Sequence, residues 1–217
     1  MKKKSIALLM AVVMIFGAVG ATLAWLKDST TEVVNTFTYG DINIELDEAD
    51  SDNDTDDSDV TVPGRDKNNE YKMLPGATIA KDPKVWVKDG SEACWLFVEI
   101  TKSTSPNFDD YMTFEIADGW DLVETNGNIS VYSRSVASLV ESTADESFAV
   151  LKNDQVSVKE TVTKADFEAL DADKNGTVEK DELPTLTFKA YAVQSANLKL
   201  ADGTGVTTAA QAWTLAK

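Results

Sequence analysis

The chain has 217 residues, 43% apolar and 26% charged, enough for one sizeable core or two small ones. Its 20 basic and 37 acidic residues give a formal charge of −17, which argues against binding nucleic acid or an anionic membrane surface, both polyanions. There is no histidine, so the commonest general base and the commonest zinc ligand are both absent.

The first segment, MKKKSIALLMAVVMIFGAVGATLAW, opens with Lys2, Lys3 and Lys4 and continues in an apolar run from Ile6 to about Val19. It leaves through small residues ending at Thr22-Leu23-Ala24. A positive start, a short apolar run and a small-x-small exit make a Sec-type signal peptide over residues 1–24. Signal peptidase is expected to cut after Ala24, with Thr22 and Ala24 as the small residues it reads; Ala21 is the alternative site. The competing reading is an uncleaved membrane anchor, for which the run is short. Cleavage removes three lysines and no acids, taking the charge from −17 to −20. The expected product, residues 25–217, is exported and acidic, with no second hydrophobic span and no C-terminal wall-sorting tail, so no membrane association is expected after cleavage.

Asn35 to Leu46, NTFTYGDINIEL, reads as a strand, a glycine break and a second strand, with Ile42, Ile44 and Leu46 alternating with polar residues. The acidic run DEADSDNDTDDSD, residues 47–59, has little to bury and reads as a flexible loop. A calcium-collecting surface is the sharper alternative, although no glycine sets the turns that repeat calcium sites need. A Pro75-Gly76 turn follows, then a strand around Val85-Trp86-Val87 and a continuous apolar run, CWLFVEI, read as a central sandwich strand. Its Cys94 is the one cysteine. No internal disulfide can form, and without histidine the usual partner of a nucleophilic thiol is missing, so Cys94 reads as a buried apolar residue.

Further strands are expected at Phe108–Ile116, Ile129–Arg134, Phe148–Leu151, Val156–Val162 and Leu186–Gln194, with turn signals at Gly119 and Asn126-Gly127. Two short helices are expected. One is Lys164–Leu170, capped by Thr163 with Asp166 at its third position; the other is Thr208–Leu215, whose Ala212, Trp213 and Ala216 cover one end of the core. Many short strands and little helix predict an all-β fold, a jelly-roll-like β-sandwich with one or two short helices. Trp86, Trp95, Phe97, Phe188 and Tyr191 are read as core rather than ligand platform.

DADKNGTVEKDE, Asp171 to Glu182, has the spacing of a single EF-hand-like calcium loop within a 163–184 insertion placed before a core strand. Asp171, Asp173 and Asn175 fall at positions 1, 3 and 5 and offer side-chain oxygens. Gly176 permits the sharp turn, and Thr177 offers its backbone carbonyl. Glu179 contributes directly or through water, and Glu182 closes the site as a bidentate carboxylate. The bland alternative is an acidic, solvated turn. Pro184 disfavours helix at the residue before it, so no exiting helix is expected and a sensor role with it. A structural calcium site remains, with affinity on the order of 10⁻⁴–10⁻³ M.

Five segments in the same order, GATLAWLKDSTTEVVNTFTYGDINIEL, YKMLPGATIAKDP, CWLFVEI, IADGW and PTLTFKAYAVQ, resemble the TasA/camelysin-like secreted proteins with a SipW-type signal peptide. In that leader the apolar run meets a small-residue site followed by an aromatic and an acidic residue, here Ala24, Trp25 and Asp28. The resemblance implies an extracellular jelly-roll domain of Gram-positive bacteria, a cell-surface or biofilm-matrix component. It also implies fibre formation, by self-association or with related matrix subunits, in which the N-terminal segment of one subunit adds a strand to the next. Trp25–Thr38, with Val33, Val34 and Phe37, is the candidate donor; pairing within its own sheet is the alternative. The metalloprotease activity ascribed to camelysin-like proteins does not carry over, because zincin chemistry needs histidines this chain lacks. The expected role is therefore a non-catalytic structural protein, with a monomeric extracellular binding module for cell-wall or host ligands as the alternative. Exposed aromatics around Trp120, or a ligand-sized groove, would favour that alternative.

Overall fold

The computed structural model describes residues 40–51, 64–67 and 69–217. The expected leader with Thr22 and Ala24, the donor candidates Val33, Val34 and Phe37, and positions 52–59 of the acidic run lie outside the described residues.

Within Gly40–Lys217 the chain forms β1 (Ile44–Ala49), β2 (Arg65–Asp66), β3 (Thr78–Ala80), β4 (Lys84–Val87) and β5 (Cys94–Lys102). A one-turn helix α1 (Phe108–Tyr111) leads into β6 (Met112–Thr113), β7 (Asp121–Asn126), β8 (Ile129–Val136), β9 (Glu146–Ala149) and β10 (Gln155–Val158). The short helix α2 (Lys164–Glu168), strand β11 (Leu186–Gln194) and helix α3 (Ala209–Ala216) complete it. The strands build three antiparallel sheets, ordered β2-β1-β4-β9, β3-β10-β6 and β11-β5-β8-β7. The fold is all-β with a few short helices.

β5 shows why its sequence is continuously apolar rather than alternating. Cys94, Leu96, Val98 and Ile100 join a core with Val85 and Val87 of β4 and Phe148 of β9. Phe97 lies in a different cluster, with Val131, Ala212 and Trp213. One face is buried at Cys94, Leu96, Val98 and Ile100 and the other at Phe97, while Trp95 and Glu99 on that second face are half-buried, so the apolar run is continuous from Cys94 to Val98. β11 pairs with β5 along its whole length, from Leu186 opposite Lys102 to Gln194 opposite Cys94. A third cluster, with Phe108, Met112, Leu151, Val156, Val158 and Val162, lies beneath α1 and the β3-β10-β6 sheet. Cys94 is fully buried, as its neighbours required, and burial pushes its thiol up to about 11.

The structure corrects several expectations. Phe108–Ile116 is not one strand: Phe108–Tyr111 is helical, with the Asn107 side chain accepting from the Asp109 amide and two acids in the first turn. Only Met112 and Thr113 then extend as β6. β7, which falls between the two turn signals where no element is expected, is an edge strand paired to β8 across the Gly127 turn, and its exposure leaves no alternating pattern to read. The strands expected at Phe148–Leu151 and Val156–Val162 begin earlier, at Glu146 and Gln155.

The acidic run does not begin as a loop. Asp47, Glu48 and Ala49 belong to β1, and Asp47 is only 1% exposed. Its Oδ1 accepts from Arg65 Nε at 2.5 Å and from Trp86 Nε1 at 2.9 Å. Arg65, itself buried, also donates to Asp82 Oδ2 at 3.0 Å. Glu48 accepts from Lys81 at 2.8 Å and Tyr71 at 3.0 Å. A composition count cannot separate carboxylates that have partners elsewhere in the chain from those that only repel one another. The first two acids of the run are of the former kind.

Candidate metal centre

The Asp171–Glu182 loop is delivered by α2. Thr163 caps that helix: its hydroxyl accepts from the Asp166 amide at 3.3 Å, and Asp166 Oδ2 accepts from the Thr163 amide at 2.7 Å. The hydrogen bond from the Thr163 side chain holds the Asp166 carboxyl below its ordinary range. Phe167 stacks on Tyr111 with centroids 6.4 Å apart, and Leu170 is buried. The entering helix is shorter than its sequence suggested, ending at Glu168 rather than Leu170, but it is anchored at both ends.

The loop then folds on its own carboxylates. Asp171 accepts from the amides of Asn175 (3.0 Å) and Gly176 (2.8 Å), and Asp173 Oδ1 accepts from the Asn175 amide (3.0 Å). Glu182, at the far end, accepts from the amides of Ala172 (2.8 Å) and Glu179 (3.0 Å). The Glu179 amide is the largest influence lowering the Glu182 carboxyl below its usual range. Gly176 sits at φ +95°, a conformation that L side chains rarely adopt, so glycine is required there.

This folding brings oxygen atoms of Asp171, Asp173 and Glu182 within 4.8 Å of one another. None of the three forms an ion pair with a lysine or arginine among the described residues. Three clustered carboxylates whose hydrogen bonds come from backbone amides and the neutral Asn175 side chain suit a hard, oxygen-seeking cation. Asn175 and Glu179, two of the other expected ligands, meet at the edge of the triad, where Asn175 Nδ2 donates to Glu179 Oε1 at 2.9 Å and to Asp173 Oδ2 at 3.0 Å. Asn175 Oδ1 accepts from the Thr177 amide at 2.8 Å. Thr177 is thus drawn into the turn by its N–H, and the triad does not include it. A bound ion would have to recruit Asn175, Thr177 and Glu179 around the three carboxylates already assembled.

The exit matches what Pro184 required. A single 3₁₀ turn, Lys180–Glu182, ends at an extended Leu183, and β11 begins at Leu186. There is no exiting α-helix between Glu182 and β11.

The loop's second half lines a cavity that sequence reasoning did not find. It has a volume of about 810 Å³ and lies between residues 178–188 on one side and β1 with residues 66–73 on the other. Its residues come from six separate stretches of chain, so no local pattern marks it. Trp120, in contrast, offers no binding platform: it is buried in the main core, and its Nε1 donates to the Ala149 carbonyl at 2.8 Å. Among the described residues no helix is long and apolar enough to cross a membrane. A scan of protein-family models found no matching family, and searches of curated proteins and of solved structures found no significant match.

Proposed function

We propose that the chain is a secreted, non-catalytic cell-surface or biofilm-matrix protein of the TasA/camelysin-like kind, with a jelly-roll-like body steadied by calcium. The observation that carries the calcium part is the convergence of Asp171, Asp173 and Glu182 without a basic partner, around a turn that needs Gly176. Calcium here is structural. The loop leads through Pro184 directly into β11, so the ion has no helix pair to open and instead fixes the start of a strand that covers β5. Calorimetry is expected to show one calcium bound with a dissociation constant on the order of 10⁻⁴–10⁻³ M, and none in Asp171→Ala/Glu182→Ala. Equal binding by that variant would remove the site.

The exported, fibre-forming part of the reading rests on the leader pattern and on the five sequence segments quoted above. Self-association is assigned to Trp25–Thr38, with Val33, Val34 and Phe37 as the apolar side of an added strand. Deleting 25–38 is expected to leave a folded monomer where the intact mature chain forms filaments. Electron microscopy with and without calcium reads this, and undiminished filaments from the deletion would exclude the assignment.

The second reading, a monomeric extracellular binding module, is favoured by one observation: the cavity of about 810 Å³ beside the loop, which is of ligand size.

A further inference from the structure

The sequence contains Asn-Gly twice, at Asn126-Gly127 and at Asn175-Gly176. In such a pair the glycine nitrogen can attack the asparagine side-chain carbonyl, because the following residue has no side chain to hinder the approach. Both glycines have open space where a Cβ would stand, and both asparagines are exposed. Crowding does not separate the two pairs; their surroundings do.

Asn126 ends β7 and is held opposite Ile129 in the β7–β8 ladder. Closing a ring through the next nitrogen requires its main chain to leave that extended conformation. Asn175 belongs to no helix or strand, and the loop sets a group against each of the three atoms that the reaction changes. The Gly176 N–H, whose proton must be lost, donates to Asp171 Oδ2 at 2.8 Å. Asn175 Oδ1 gains charge as the nitrogen attacks; it accepts from the Thr177 N–H at 2.8 Å, the distance of an oxyanion donor. Asn175 Nδ2, the leaving nitrogen, donates to Asp173 Oδ2 at 3.0 Å and to Glu179 Oε1 at 2.9 Å. Two carboxylates there stabilise the nitrogen as it takes on positive charge.

We propose that Asn175 is a self-modifying site, at which the loop catalyses deamidation of its own asparagine. The bond from Gly176 N to Asn175 Cγ forms as the N–H proton passes to Asp171. The Cγ–Nδ2 bond then breaks, and the proton held by Asp171 returns through solvent to the nitrogen, which leaves as ammonia. The succinimide that remains is opened by water at either of its carbonyls, giving aspartate or isoaspartate; nothing is oxidised or reduced.

A coupling follows, and it rests on the calcium reading. An ion at the triad bonds the carboxylate oxygens that otherwise hold the Gly176 and Asn175 hydrogens, so calcium protects Asn175. The modification acts in return. Isoaspartate inserts an extra main-chain carbon between Asp173 and Glu182, which destroys the spacing that lets those carboxylates converge. A loop deprived of calcium for long enough therefore loses the ability to bind it.

The test is a time course of the purified chain at neutral pH in chelator, read by mass spectrometry of the peptides that hold Asn175 and Asn126, beside calcium calorimetry. Asn175 is expected to convert about tenfold or more faster than Asn126, a modest share of what positioned acid–base groups contribute. In urea, where the loop is unfolded, the two rates are expected to converge. Asp171→Asn is expected to slow Asn175 about tenfold or more and to leave Asn126 unchanged. The urea comparison needs no variant, so a folding fault in Asp171→Asn leaves the answer readable. Calcium at about ten times its dissociation constant is expected to slow Asn175 about tenfold. Equal rates in the folded chain, or a ratio that survives urea, overturn the self-modification. An unchanged rate in Asp171→Asn overturns the part given to Asp171. Calcium uptake without protection overturns the coupling and spares the calcium reading. Fast conversion in a chain that takes up no calcium removes the calcium reading and spares the modification.

Discussion

Trp213→Ala is expected to cost about 3–5 kcal/mol of unfolding free energy, the range for truncating a buried large aromatic. Trp213 is 2% exposed. Its ring lies 5.3 Å from Phe97 and 5.0 Å from Tyr191, edge-on to the latter. Phe97 belongs to β5 and Tyr191 to β11, so one side chain of α3 seals the outer face of the central strand pair. Its Nε1 donates to Glu124 Oε1 of the edge strand β7 at 2.7 Å, tying a third strand to the same point. In urea denaturation the alanine variant should show a lower midpoint. Hydrogen exchange should accelerate first in 206–217, because Ala212 and Trp213 are the residues of α3 that are buried. Trp213→Phe keeps the ring contacts and loses the bond to half-exposed Glu124, so a cost of about 1 kcal/mol is expected. Equal stability of wild type and Trp213→Ala would mean that α3 does not hold the sheet.

Asp47→Ala is expected to be nearly as damaging, about 3 kcal/mol, the lower end of the cost of breaking a buried ion pair. Removal leaves the Arg65 guanidinium, with a side chain 10% exposed, with the Asp82 carboxylate and the main-chain carbonyls of residues 47 and 82 but without the carboxylate at Nε. It also strands Trp86 Nε1. For a domain of this size the loss corresponds to a drop of roughly 6–12 °C in melting temperature. Scanning calorimetry measures it. The double variant Asp47→Ala/Arg65→Met should be more stable than Asp47→Ala alone, because the penalty lies in the abandoned charge more than in the absent pair. A double variant that is worse than the single would show that the aspartate acts through its shape rather than its charge.

The parts of this fold that were legible in the sequence are those in which local pattern and tertiary demand coincide. LTFKAYAVQ is a strand over all of Leu186–Gln194, and CWLFVEI lies inside β5. Thr163 caps the helix it precedes, as its spacing to Asp166 required, whereas Thr208, read as the first helical residue, is the cap of a helix that starts at Ala209. The carboxylate loop was legible for the same reason: the hydrogen bonds given to Asp171, Asp173 and Glu182 come from within Asp171–Glu182. What was hidden depends on distant partners. Asp47 reads as solvated until Arg65 and Trp86 close over it. β7 leaves no strand signal because, as an exposed edge, it has no face to bury. Whether Trp120 is exposed or buried has no local sign, and only the core around it and the Ala149 carbonyl beside its ring nitrogen decide it. The cavity has no sequence signature at all, since its walls are assembled from stretches scattered between Leu46 and Phe188.

The β11–β5 ladder also has a consequence for the order in which the chain is made. β5 meets one partner, β8, soon after it is synthesised, but its other edge is covered only when residues 186–194 arrive, near the end. Until then the nine-residue CWLFVEITK, apolar from Cys94 to Val98 and again at Ile100, presents an unpaired edge, the kind of template on which chains stick to one another. Premature termination anywhere before Leu186 therefore produces something worse than a shortened protein. It leaves this strand permanently open, and such fragments should form irregular aggregates that the full-length chain, with that edge paired, does not form.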